Sequence, residues 1–131
     1  MSVLTPGIRA LFEGKNFAHL ATVMPDGSPQ VSVVWVSLDG DNILVNTAEG
    51  RVKPKNVRRD PRIAISICDQ ENPYRSAAVQ GEVVEIRSEG AAEHIDKLAK
   101  KYTGADRYPA DRNGRLIFVI KVDQAAGMST D

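Results

Sequence analysis

Short segments with a two-residue period, most of them joined by tight turns, limit this chain more than any other feature. Pro25-Asp26-Gly27-Ser28 separates Phe17–Met24 from Gln30–Leu38, and Asp39-Gly40-Asp41-Asn42 separates Gln30–Leu38 from Ile43–Ala48. Both connections carry the Asp and Gly residues of tight turns. Connections this short join antiparallel neighbours, because a parallel pair needs a crossover of about a dozen residues or more. Arg62–Asp69 alternates cleanly, with Ile63, Ile65 and Ile67 on one face. Ser76–Ser88 is a long strand whose apolar parity shifts around Val83-Val84, which predicts a bulge or a strong bend. Arg115–Val122 alternates again as the last strand. Gln30–Leu38 is apolar on both faces: Val31, Val33 and Trp35 on one, Val34, Val36 and Leu38 on the other. Such a strand belongs inside a barrel or under a partner subunit.

Three helices complete the reading. Thr5 and Pro6 supply an N-cap and a first helical residue, Ile8, Leu11 and Phe12 share a face, and Gly14 ends the helix. A short middle helix can hold Pro54 in its first turn and stops at Asp60-Pro61. Ala91, Ile95, Leu98 and Tyr102 form the apolar stripe of a helix over about 89–101. Residues 71–75 and 103–114 are loops, and the tail from Gln124 is expected to be loose or to lie on a partner. The expected fold is mainly β (α+β): a six-stranded antiparallel barrel with small peripheral helices, one domain spanning 1–131.

Composition narrows the function. Lys+Arg and Asp+Glu are both 17, and a chain with no net charge is a poor general nucleic-acid binder. No run reaches the 18 or so apolar residues of a membrane span. The first residues lack a basic segment followed by an apolar one, so no secretory signal is read there. One cysteine, Cys68, forms no internal disulfide and suits a reducing compartment, so the cytoplasm is the expected location. His19, on a strand, reads as a barrel residue, and His94 as a helix residue exposed or packed beside Leu98. Neither they nor Cys68 have metal-ligand spacing, so no metal is expected. No nucleophile elbow, P-loop or dinucleotide-binding glycine motif occurs.

Against this neutral background one stretch is strongly basic. Arg51, Lys53, Lys55, Arg58, Arg59 and Arg62 fall within Asn46–Arg62, where an apolar strand turns at Gly50 into the middle helix. A strand, a turn and a helix N-terminus surrounded by cations form an anion site. Arg51, Lys53 and Lys55 have a spacing of two, so in an extended or turn conformation they project to one side. The competing reading is a solvated helix face, which fits Arg58 and Arg59 better than Lys53.

The order of elements and four landmarks resemble a known family. They are F-A-H-L-A-T-V-M-P-D-G-S-P-Q-V-S (17–32), N-T-A-E-G-R-V-K-P-K-N-V-R-R-D-P-R (46–62), V-Q-G-E-V (79–83) and K-Y-T-G-A-D-R-Y-P (101–109). The family is the split β-barrel flavin- and deazaflavin-binding proteins related to pyridoxamine 5′-phosphate oxidase, and the likeness is greatest to their F420-dependent oxidoreductase branch. The resemblance implies a homodimer with two cofactor sites at the subunit interface and hydride transfer by F420 or FMN to a small organic substrate. It implies that Arg51, Lys53, Lys55 and Asn56 contact the cofactor phosphate, that Gln30, Val31 and Ser32 lie near the ring through backbone groups, and that Thr47 offers a hydroxyl. The acidic tail of F420 calls for cations beyond the phosphate, and the density of the basic run favours it over FMN. Alternatives within the fold are an FMN oxidase or reductase, a cofactor carrier without turnover, and a haem-degrading or tetrapyrrole-reducing protein. No catalytic side chain is assigned. Tyr74 and Arg75 are placed at the pocket, and Tyr102, Tyr108 and Arg112 towards a partner's cofactor, by position only.

Overall fold

A computed structural model describes residues 3–130. The elements in order are α1 (Pro6–Glu13), β1 (Ala18–Val23), β2 (Pro29–Val34), β3 (Val36–Asp39), β4 (Asn42–Ala48), α2 (Val52–Arg59), β5 (Arg62–Cys68), β6 (Ser76–Arg87), α3 (Ala91–Thr103) and β7 (Arg115–Met128). The strands form one curled antiparallel sheet in the order β2-β1-β5-β6-β7-β4-β3.

The sheet has seven strands rather than the six expected. The segment Gln30–Leu38 divides at Trp35 and its two halves serve opposite edges of the sheet. Val34 pairs with Ala18 on β1, whereas Val36 pairs with Val45 on β4. The half-barrel curls far enough for one residue to step between its edges, and the ladder stays open there. The exposed face of β2 also departs from the two-sided burial expected: Val31 is 64% and Val33 60% exposed, while Val34 and Val36 are in the core.

The expected bend in β6 is present as a register shift between Val83 and Glu85, and a second lies between Gln80 and Gly81. The tail is not loose through the described residues. β7 continues to Met128 and pairs with β6 as far as Ser76. Its last stretch, Gln124–Met128, loses apolar alternation, but backbone ladder bonds need no apolar side chains.

Inward-facing residues such as Leu20, Ile43, Ile65, Phe118 and Ile120 form the main core. Helix α1 adds Ile8, Leu11 and Phe12, and Thr5 caps it by accepting from the Ile8 N–H at 3.3 Å. Helix α2 buries Pro54, Asn56 and Val57 beside β1 and β4. Helix α3 instead covers the outer face of β4 and β7, where Ala91 packs with Leu44, Ile117 and Val119. Among the described residues no helix covers the outer face of β1, β2 and β5.

Candidate anion-binding cleft

Strand β4 delivers the chain to Gly50, whose φ of 84° makes the turn that a residue with a side chain rarely adopts. Arg51 then stands at the N-cap of α2 in extended conformation, with no side-chain capping bond and no acid in the first turn. Pro54 is the third helical residue, where its missing N–H breaks no helical bond. The N-terminus of α2 therefore keeps unsatisfied donors, and basic side chains surround it.

The structure divides the six cations of the run. Arg58 is held by Glu49 in a two-pronged ion pair of 2.8 and 2.9 Å. Arg59 donates to the Val23 carbonyl and to Asn56 Oδ1, both at 2.8 Å. Arg62 forks onto Asp60 at 3.0 and 2.6 Å and holds that carboxyl down at about 2. Arg51, Lys53 and Lys55 form no ion pair among the described residues. Arg51 and Lys53 line one cleft of about 200 Å³, together with Trp35, Asn46, Tyr108 and Arg115. Lys55 does not reach it. The helix starts at Val52, so a spacing of two turns Lys55 about 200° away from Lys53, to the exposed side.

Arg115 is the cation that the charge run does not contain. It lies at the start of β7, opposite Ala48, and only 7% of it is exposed. Its Nε donates to Asn46 Oδ1 at 2.8 Å, and its guanidinium sits over the Tyr108 ring at 5.2 Å. Nothing in the sequence marks it, because Asn46 and Arg115 meet only through the β4–β7 pairing. Burial lowers the Lys53 ammonium, and Arg51 and then Arg115 push it further down. Burial likewise lowers Arg115. No carboxylate lines this cleft. Three like charges gathered without a counter-charge suit an anion.

The other expected residues are placed as follows. Asn56 is buried at 2% exposure, and its amide is engaged internally: Nδ2 donates to Thr22 Oγ1 at 2.9 Å and to Met24 Sδ at 3.3 Å, while Oδ1 accepts from Arg59. Gln30 faces the barrel interior and accepts from Thr22 Oγ1 at 2.8 Å. Ser32 and Thr47 also face inward, and their hydroxyls are buried without a hydrogen-bond partner. Val31 is on the outer face. β2 pairs only with β1, so its free edge leaves backbone donors and acceptors unladdered beside the cleft. These groups can meet a planar polar ring.

Trp35 stacks on Tyr102 at 5.3 Å with the planes 6° apart and meets Tyr108 edge-on at 6.2 Å. Tyr102 is a buried strut rather than an exposed contact: its hydroxyl donates to the Asn16 carbonyl at 2.7 Å and accepts from the Val36 N–H at 3.1 Å. Tyr74 is 77% exposed. Arg75 donates to the Gly7 carbonyl and pairs with Asp69, and Arg112 pairs with Asp96 at 2.7 Å. His94 is neither exposed nor simply packed against Leu98. It is buried between Ser37 on β3 and Asn46 on β4, because α3 lies on the outer face of β4 and β7.

A larger hollow of about 570 Å³ lies along α3, at the β3 edge. Its walls mix Asp39, Glu89 and Glu93 with Arg87 and Lys97, so it has no single sign. Among the described residues no group of three or more His, Cys, Asp or Glu could hold a metal, and no helix is long and apolar enough to cross a membrane.

The family model of pyridoxamine 5′-phosphate oxidase matches residues 4–129. An F420 reductase structure superposes with a TM-score of 0.82 at 33% identity, over 90% of this chain and 94% of that one. A conserved hypothetical protein of Mycobacterium tuberculosis superposes with a TM-score of 0.70 at 25% identity, over 92% of this chain and 81% of that one. A candidate pyridoxamine 5′-phosphate oxidase of Listeria innocua shares the fold, with a TM-score of 0.69 at 19% identity over 92% and 94% of the two chains. The cleft, the half-barrel around it and these likenesses agree: the chain belongs to the pyridoxamine 5′-phosphate oxidase family, in the branch that its similarity to the F420 reductase marks.

Proposed function

We propose that this protein is an F420-dependent oxidoreductase, a cytoplasmic homodimer that reduces a small conjugated organic substrate. Family membership supports a flavin- or deazaflavin-type oxidoreductase. The observation that carries the reading to this chain is the gathering of Arg51, Lys53 and Arg115, without a carboxylate, at the open seam of the barrel. The residues fit the group. Two guanidinium forks and an ammonium beside an uncapped helix N-terminus bind a phosphate, and Trp35 and Tyr108 wall the same cleft with aromatic surface.

When bound, the reduced deazaflavin supplies the hydride. The protein binds and orients. Arg51, Lys53 and Arg115 hold the phosphate, and Lys55, on the exposed side of α2, is set to meet the acidic tail that follows it. Asn56 supports the site from beneath by tying the middle of α2 to β1. The free edge of β2 at Gln30, Val31 and Ser32 presents backbone groups to the ring. Thr47 and Ser32 keep unspent hydroxyls in the layer behind. The FMN reading has one specific observation in its favour: Arg58 and Arg59 are already engaged, as suits a cofactor that ends in its phosphate.

Parallel titrations with F420 and FMN, read by fluorescence, test the proposal. Wild-type protein is expected to bind F420 more tightly. Arg51→Ala and Lys53→Ala should each weaken binding by about 1–3 kcal/mol, as loss of a charge-assisted hydrogen bond does. Lys55→Ala should weaken F420 and leave FMN unchanged. Failure to bind either cofactor at micromolar protein sinks the redox reading. Binding of F420 without oxidation of its reduced form by a panel of quinones and enones would leave a carrier.

A further inference from the structure

His94 is outside the lining of the cleft but contacts Asn46, which lines it, and through Asn46 an unbroken chain of hydrogen bonds runs to Arg115. Arg115 Nε donates to Asn46 Oδ1 at 2.8 Å. Asn46 Nδ2 lies 3.0 Å from His94 Nδ1 and 2.9 Å from the Ala91 carbonyl oxygen. His94 Nε2 lies 2.9 Å from Ser37 Oγ.

The chain has only one consistent polarity. A guanidinium has no acceptor, so the Asn46 oxygen must face Arg115 and its NH2 must face α3. That NH2 has two hydrogens and meets two acceptors, the Ala91 carbonyl and His94 Nδ1. His94 Nδ1 therefore carries no proton. The ring proton sits on Nε2 and is donated to Ser37 Oγ. Helix α3 thus fixes the rotation of an amide on β4, and that amide fixes a guanidinium on β7.

The geometry matters because Arg115 is long. Its side chain has rotamer entropy to lose when it binds an anion. Holding Nε in advance removes part of that cost and leaves the other guanidinium nitrogens over Tyr108, beside the cleft. We infer that His94 is a positioning residue of the anion cleft: as an Nδ1-accepting imidazole it locks Asn46, and through Asn46 it aims Arg115 at the cofactor phosphate. This rests on the reading of the cleft as an anion site. Locking of the Arg115 side chain, however, can be measured without any ligand.

The test uses three variants of the full-length protein. His94→Leu keeps the bulk and removes the acceptor. His94→Asn places a carbonyl oxygen close to the position of Nδ1. His94→Leu combined with Arg115→Ala shows whether the two residues act through one path. Nitrogen NMR of wild-type protein should show His94 protonated on Nε2, and the Arg115 Nε–H should exchange slowly with solvent. In His94→Leu that exchange should speed up, and affinity for F420 or FMN should fall about tenfold. His94→Asn should recover most of both. In the Arg115→Ala background, His94→Leu should cause no further loss of affinity.

A ring protonated on Nδ1, or an Arg115 Nε–H that exchanges equally in wild type and His94→Leu, overturns the inference. So does an affinity loss in His94→Leu that persists at full size without Arg115. If wild-type protein binds neither cofactor, the anion-site reading fails, while the tautomer and the exchange rates still decide whether His94 positions Arg115. If His94→Leu does not fold, Asn46→Asp replaces it. Its carboxylate cannot donate to Nδ1, so the tautomer should switch, and the added charge beside Arg115 should abolish binding of the anion.

Discussion

His94 shows at the scale of one residue what burial does to a titratable group. Burial is the largest cause of its lowered pKa, and the positive charges of Lys97 and Arg115 add to it, so the imidazole sits at about 4 instead of its ordinary 6.5. A base whose folded pKa lies below its unfolded one is protonated first in the unfolded chain. Its contribution to stability is therefore complete above pH 6.5 and is lost as the pH falls towards 4. Urea denaturation at steps between pH 6.5 and 5 should show wild-type stability falling by about 1 kcal/mol per pH unit more than that of His94→Asn, which has nothing to titrate. Equal slopes for the two proteins would mean that the folded imidazole titrates like a free one. The same residue marks a limit of the sequence. On a helix beside Glu93, Asp96 and Lys97, His94 reads as exposed or packed beside Leu98, and the docking of α3 onto β4 and β7 buries it against Ser37 and Asn46. Arg51 and Lys53 were legible because a charge run is a local signal. Arg115 and Asn46 were not, because 69 residues separate them and the β4–β7 register alone brings them together.

At the scale of elements, local chemistry was readable and closure was not. The hairpin turns, the N-cap at Thr5, the stop at Asp60-Pro61 and the bend near Val83 all follow from nearby residues, and each is found. The division of one apolar run into β2 and β3 depends on how far the whole sheet curls. No pattern inside Gln30–Leu38 encodes that. The spacing of Lys53 and Lys55 was also misleading in one respect: two residues apart means one side in a strand but opposite sides in α2. Strand β6 carries the sharpest test at this scale. Gly81 faces the interior at the register shift between Gln80 and Gly81, opposite Val122, and a Cβ there would run into the Lys121 carbonyl. The Lys121 carbonyl and the Val122 Cα close to it are backbone in a paired strand, so neither can rotate away. Gly81→Ala should destabilise the protein by about 1–3 kcal/mol through forced backbone displacement. The denaturation midpoint should fall with an unchanged slope. A midpoint equal to wild type would show that the β6–β7 pair yields at the bulge.

For the whole molecule, the open question is what covers the outer face of the sheet. Helix α3 protects β4 and β7, but β2 and the residue that leads into β1 present Val31, Val33 and Phe17 to solvent, at 64%, 60% and 39% exposure. Their neighbours on that face are Ala21, which pairs with both Val31 and Ala64, and the exposed His19, which pairs with Val33 and Ser66. A largely apolar surface beside a free strand edge suits a second copy of the chain, since a stable interface takes about 800 Å² from each partner. Val33 also lines the anion cleft, so this face and the site are continuous. Dimerisation would then build the wall of the cofactor pocket that one chain leaves open. Placing aspartates at Val31 and Val33 puts charges where a partner must be desolvated, at a cost of several kcal/mol, without touching the core. Sedimentation of wild-type protein should give a dimer, and the double aspartate variant a folded monomer. A dimeric variant would place the interface on another face. A monomer that binds F420 as tightly as wild type would show that each chain builds its cofactor site alone.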